Sequence, residues 1–218
     1  MARFVRSAAA AAIGKPWRQT LLDLSERGVI ALFYGYFAYS LTTYFISTRN
    51  TSCLVALFSE TLVVLMVMAR RPATNISCRP QDWALAFVAT CAPMLLRPGG
   101  IGPHGLSETG LLLQGVGLAA GLWCKLYLFR NFGVAPALRG LSTHGPYKLV
   151  RHPIYVSYFV AELGYLCAFP TARNAIVLGV WAVLQIWRID AEENILRTNA
   201  AYVAYARRVQ WRLAPGLY

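Results

Sequence analysis

Charged residues are scarce in this chain, 14% of 218 positions, against the roughly 25% usual in soluble domains. Acidic residues are scarcest, nine against 21 Lys and Arg. This shortage excludes an ordinary water-soluble helical domain, whose helices need a polar stripe. Paired cysteines are also missing. Cys53, Cys78, Cys91, Cys124 and Cys167 are odd in number, widely separated and never C-x-x-C, which reads as small apolar core residues rather than a disulfide framework or a metal site. The cations form no nucleic-acid motif and gather at the ends of apolar segments. The glycines between Arg97 and Gly105 lack the strand and helix that a nucleotide-binding fingerprint requires, so that loop reads as a turn.

What is present is apolar length. Hydrophobic residues make up 57% of the chain and mean hydropathy is +0.45. The expected class is an all-α polytopic integral membrane protein with about six spans, at residues 28–47, 53–69, 82–96, 108–129, 153–169 and 175–189. An interfacial helix over 18–27 is expected to precede them, behind an N-terminal arm in which Ala8 to Ala12 resembles a signal peptide only faintly. Aromatic residues from Phe33 to Phe45 read as packing. Glu60 is a lone intramembrane carboxylate and therefore a functional candidate. Gly117 and Gly121 form a small-x-x-x-small register for close helix approach. Of the 21 cations, only Arg49, Arg97 and Arg173 fall on outside segments if both termini are cytoplasmic, and the positive-inside rule selects that orientation. The chain divides into an arm (1–27), an N-terminal helical part (28–130) and a C-terminal region (131–218) with two spans and a cytoplasmic tail.

Two stretches in that last region carry chemistry. The first runs from Gly145 to Tyr155, G-P-Y-K-L-V-R-H-P-I-Y. Pro153 suits the first turn of a helix, which puts Arg151 and His152 at a helix mouth where free N–H groups and the dipole favour an anion. The second, from Arg188 to Leu196, reads R-I-D-A-E-E-N-I-L. Arg188 and Glu192 share a helical face where the last span ends; alone they would read equally well as a snorkelling arginine in a surface ion pair.

Together these stretches resemble the isoprenylcysteine carboxyl methyltransferase family and the related membrane phospholipid N-methyltransferases. The resemblance rests on G-P-Y-x-x-x-R-H-P-x-Y opening a span, a hairpin, then R-x-x-x-E-E-x-x-L and Y-x-x-Y, over residues 131–215. Sterol reductases share a more distant C-terminal pattern, but their G-W-W-G and R-H-x-N-Y are replaced here by Gly145-Pro146-Tyr147 and His152-Pro153-Ile154-Tyr155. The resemblance implies an S-adenosylmethionine site at the cytoplasmic face, with contacts from Arg139, Gly140, Leu141, Ser142, Tyr147, His152, Pro153, Ile154, Tyr155 and Glu192. It implies that Arg188 holds the acceptor, with Arg188 and Glu192 as the catalytic pair, and that the acceptor is a lipophilic or prenylated molecule entering from the bilayer. Phe132 stands where a cofactor-binding glutamine is expected, and a Phe-Gly before the last Tyr-x-x-Tyr is replaced by Thr198-Asn199 in a shortened segment.

Methyl transfer from a sulfonium asks for alignment and exclusion of water, and no metal. A carboxylate acceptor needs only a cation such as Arg188 to hold it, whereas an amine must lose a proton. Glu162, seven residues after Tyr155 and so on the same face about 10 Å deeper, is a candidate to accept that proton or hold a cationic headgroup; its alternative is a structural glutamate. Carboxyl methylation of a prenylcysteine-like substrate is the first reading and phospholipid amine methylation the second. A nicotinamide-dependent reductase and a non-catalytic binding protein on the same scaffold are the remaining alternatives.

Overall fold

The computed structural model describes residues 16–49, 54–97 and 103–216. The arm with Ala8 to Ala12, Cys53 and the centre of the glycine-rich loop lie outside the described residues, as does the Glu60 side chain. Among the described residues the chain is almost entirely helical: α1 (Pro16–Thr48), α2 (Leu54–Ala69), α3 (Pro80–Cys91), α4 (His104–Leu128), α5 (Pro153–Ala168), α6 (Ala172–Leu196) and α7 (Ala200–Arg208). Proline punctuates them. Pro80 and Pro153 occupy first turns, while Pro93 lies in a 3-10 turn, Ala92–Leu95, that ends the third helical segment. A two-residue antiparallel ladder, β1 (Asn75–Ile76) with β2 (Ala137–Leu138), ties together two loops expected to be irregular.

Among the described residues three segments, Pro16–Ser47, Gly105–Asn131 and Ala172–Leu196, are long and apolar enough to cross a membrane. The other three expected spans correspond to α2, α3 and α5, of 16, 12 and 16 residues. At about 1.5 Å per residue these helices reach roughly 18–24 Å, short of a hydrocarbon core of about 30 Å. The six nevertheless alternate in direction. At one end Arg27 donates to Met68 O, Arg130 to Ala69 O and Asn75 to Thr198. At the other, Asn174 exchanges hydrogen bonds with the Arg97 backbone and Arg173 donates to Leu95 O. Large apolar side chains such as Leu32, Leu112, Val116 and Ile176 point outward, as a surface facing lipid should.

α4 and α5 pack backbone to backbone. A Cβ at Gly117 would lie 2.4 Å from Ala161 N, and one at Gly121 would meet Ser157 Oγ at 3.0 Å, so the small-residue register does what its spacing implies.

The separate interfacial helix over 18–27 is not found: α1 runs unbroken through it. No proline follows Pro16 in this stretch, and its acidic residues face protein rather than water. Glu26 and Asp23 are buried against Arg70 and Arg139. The second Glu26 oxygen accepts from Val134 N at 2.7 Å and Ala135 N at 2.9 Å. One carboxylate thus fixes the loop that precedes the motif.

Candidate functional site

Pro153 begins α5 as its spacing implies, with His152 at the N-cap and its carbonyl accepting from Tyr155 N and Val156 N. The two backbone N–H groups that lead into the helix are occupied. Arg151 N donates to Trp211 O and His152 N to Arg212 O, both at 2.9 Å. The C-terminal tail therefore packs across the helix mouth, tied to the two residues before Pro153.

Glu193, at the end of α6, clamps this region. Its carboxylate lies 2.8 Å from Arg151 Nε and 3.2 Å from His152 Nε2. It accepts from Tyr202 OH at 2.7 Å and pairs with Arg197 at 2.9 Å. Spacing alone singled out Glu192 and overlooked this neighbour; the only signal for it was the adjacent E-E pair. Burial raises Tyr147 and, with the Glu193 carboxylate beside it, Tyr202, while Tyr205 is pushed up to about 12 by burial. These phenols keep their protons in the folded state at a pH where an unfolded tyrosine, with a value of about 10, ionises. Folding stability is consequently expected to be unaffected by them below about pH 10 and to fall as pH rises from there. The melting temperature in detergent between pH 8 and 11 checks this, and a smaller loss in Tyr202→Phe is the matching control.

Glu192 faces the other way, into a site with two chambers. Tyr155 OH donates to Glu192 Oε1, Arg188 Nε lies 3.6 Å from that oxygen, and Arg188 Cζ sits 5.6 Å from the Tyr155 ring centroid. Arg188 also donates to Thr90 Oγ1 at 3.3 Å and Val134 O at 2.9 Å, which commits two of its five N–H groups.

On one side of Tyr155 and Glu192 lies an outer cavity of about 690 Å³ including its mouth. It is lined by Arg139, Gly140, Leu141, Ser142, Tyr147, His152, Ile154, Tyr155 and Glu192. Pro153, named with them from the sequence, is buried in the first turn and does not form part of this lining. Tyr202, Tyr205 and Asn131 join the wall. Arg139 reaches the cavity while pairing with Glu26 and Asp23.

On the other side lies an inner cavity of about 1030 Å³ including its mouth. Arg188 and Glu162 line it, with Tyr34, Tyr158, Trp181 and Gln185. Tyr34 belongs to the aromatic series read only as packing, and the departing residue Phe132 also lines this chamber. Trp181, Gln185, Arg188 and Glu192 follow one another at four, three and four residues, a single helical stripe that the sequence shows only in part without knowing which face turns inward. The shortened Thr198-Asn199 segment is a tight turn in which Asn199 caps α7.

Residues 137–198 match the model of the isoprenylcysteine carboxyl methyltransferase (ICMT) family. Over these residues the chain is similar to that family, as its motifs imply. The match begins at β2, contains the whole Gly145–Tyr155 motif and ends just past Glu193. Over 105 residues the chain is also 30% identical to the nickel-cobalt-cadmium resistance protein NccN of Alcaligenes xylosoxydans xylosoxydans, covering 47% of each chain. The chain spans about half the length of this curated relative. Among the described residues, no group of three or more His, Cys, Asp or Glu side chains could hold a metal ion.

Proposed function

We propose that this protein is an integral membrane methyltransferase that takes a methyl group from S-adenosylmethionine in the outer cavity and delivers it to a lipophilic acceptor in the inner one. The observation that carries the reading is the shared wall: Tyr155, Ile154 and Glu192 line both chambers, so a donor and an acceptor can meet there.

The outer cavity suits the donor's chemistry. The Tyr147 hydroxyl and Asn131 Oδ1 are buried without a hydrogen-bond partner among the described residues, the kind of orphan that a polar ligand resolves. Leu141 and Leu196 offer an apolar surface for a nucleobase, and Glu192 and the Tyr155 ring suit a cationic sulfonium. When bound, S-adenosylmethionine supplies an activated methyl group that needs no metal or acid to leave sulfur.

The chain's own residues supply alignment and dryness. Arg188, anchored through Thr90 and Val134, presents a fixed cation to a carboxylate acceptor, and the ordered guanidinium sets its approach. A carboxylate has no proton to lose, so Arg188 suffices. The apolar lining around Phe132, Leu118 and Tyr158 excludes water. This arrangement favours a prenylcysteine-like carboxylate over a phospholipid amine, which would require Glu192 or Glu162 to take a proton. The positive-inside count supports a cytoplasmic position for both termini and the cation-rich ends.

The test is methyl transfer from labelled S-adenosylmethionine, in detergent, to N-acetyl-S-farnesylcysteine and to phosphatidylethanolamine. Base-labile label on the prenylcysteine is expected, falling by about 10²-fold or more in Arg188→Ala. Label in the phospholipid alone would establish the amine reading instead.

A further inference from the structure

The chain between α4 and β2 lies against both chambers, and Gly133 lines each of them. Residues 132–136 belong to neither a helix nor the ladder, so the partners of their N–H and C=O groups decide where they sit.

Val134 is held at both of those groups, from α1 and from α6. Its N–H donates to Glu26 Oε1 at 2.7 Å, and the same oxygen takes the N–H of Ala135 at 2.9 Å. Its carbonyl accepts from Arg188 Nη2 at 2.9 Å. The other anchor of Arg188, Thr90 Oγ1, is longer at 3.3 Å, and Arg188 Nε has no hydrogen-bond partner among the described residues. The Val134 carbonyl is therefore the firmest hold on this guanidinium. Glu26 and Val134 are both buried, so water does not compete for either bond.

We propose that Glu26 is a positioning residue: one carboxylate on α1 fixes the Val134 peptide and, through its carbonyl, the place from which Arg188 meets the acceptor. Glu26 lines neither cavity, so it acts only through this relay. The role rests on the reading of Arg188 as the acceptor's cation. Asp23 supplies the contrast. It shares Arg70 and Arg139 with Glu26 but takes no N–H from residues 132–136. A Val134 peptide that shifts carries the guanidinium with it, and misplacement by about 1 Å costs up to about 10²-fold in rate.

The experiment is a double-variant cycle. Initial rates of methyl transfer to N-acetyl-S-farnesylcysteine are measured with S-adenosylmethionine saturating, well below the melting temperatures. Glu26→Ala and Asp23→Asn are each compared with Arg188 in place and in the Arg188→Ala background. Glu26→Ala is expected to lower kcat/KM about tenfold or more with Arg188 in place and less than about twofold without it, because members of one relay are not additive. Asp23→Asn is expected to lower it less than about twofold in both backgrounds. Equal losses from Glu26→Ala in the two backgrounds, or as large a loss from Asp23→Asn, overturn the proposal. Glu26→Gln, which keeps the size of the side chain, takes the place of Glu26→Ala if that variant folds poorly, and the same outcomes apply.

Reaction with phenylglyoxal, read at each arginine by mass spectrometry, tests the relay without an acceptor. Loss of the Glu26 tether is expected to speed modification of Arg188 about threefold or more, the factor that one hydrogen bond is worth. Arg151, held by Glu193, is expected to keep its wild-type rate. An unchanged Arg188 rate, or equal acceleration at Arg151, overturns the proposal. Acceleration at Arg188 alone, in a protein whose wild type transfers no methyl group, would overturn the methyltransferase reading and leave the relay standing.

Discussion

Replacing Glu26 by alanine is expected to destabilise the protein by about 3–5 kcal/mol, the usual cost of removing one partner from a buried ion network. Glu26 is fully buried and answers four groups at once: Arg70, Arg139 and the N–H groups of Val134 and Ala135. Its loss leaves two guanidinium groups, both nearly inaccessible, with Asp23 as the acidic partner still in the network. Burial together with the neighbouring Arg139 charge already lowers Arg70 from its ordinary value, so this pair has little tolerance for losing a counter-charge. The loop over 132–139 would lose its tether to α1, and with it Gly133, Ala135 and Arg139 in the wall of the outer cavity. A fall in melting temperature of about 10 °C in detergent is the expected reading. The charge-balanced Glu26→Ala, Arg139→Ala double variant should recover part of it. A melting temperature within a degree of wild type in Glu26→Ala would show that the network contributes nothing to stability.

The second large effect separates two adjacent residues. Glu193→Ala is expected to destabilise the C-terminal region by about 3–5 kcal/mol, because it unpairs Arg151 and leaves His152 and Tyr202 without their shared acceptor. Glu192→Ala should do far less to stability, since its carboxylate is partly exposed and its partners Tyr155 and Arg188 have packing or other hydrogen bonds of their own. Its cost is expected in transfer: a fall of about 10²-fold in kcat/KM as the wall between the chambers loses its alignment. Melting curves and initial rates on the two variants decide the matter. If Glu193→Ala melts like wild type, or if Glu192→Ala transfers methyl groups at the normal rate, the assignment of clamp and wall is wrong.

Much of the molecule was legible without coordinates. Few charges and long apolar runs meant helices in a bilayer, since any other backbone would leave polar groups unsatisfied there. Pro153 started α5 where a missing N–H costs nothing. The eleven-residue motif and the later R-x-x-x-E-E led to the family whose model covers residues 137–198, because both depend on local spacing and spacing survives in sequence.

The remainder depends on which distant residues meet. The spans expected at 53–69 and 153–169 match α2 and α5 to within a residue, whereas α3 begins two residues early and ends at Cys91, where the chain tightens into the 3-10 turn that holds Pro93. The mixed pattern over 18–27 reads as an interfacial helix because Asp23 and Glu26 call for a polar surrounding, and that surrounding is Arg70 and Arg139, 47 and 113 positions away. The carboxylate favoured at the mouth of α5 comes from Glu193, 42 positions after Arg151, while the carbonyls of Trp211 and Arg212 take the backbone N–H groups of Arg151 and His152. Chain order determined the class of the protein, the motif and the start of its helix. Tertiary structure alone decided that Glu193 clamps while Glu192 faces the cavities, that Tyr155 stands between the outer and inner cavities, and that Gln185 and Trp181 line the inner one. A helix repeats every 3.6 residues, so its sequence tells which side chains share a face, and only packing tells what that face confronts.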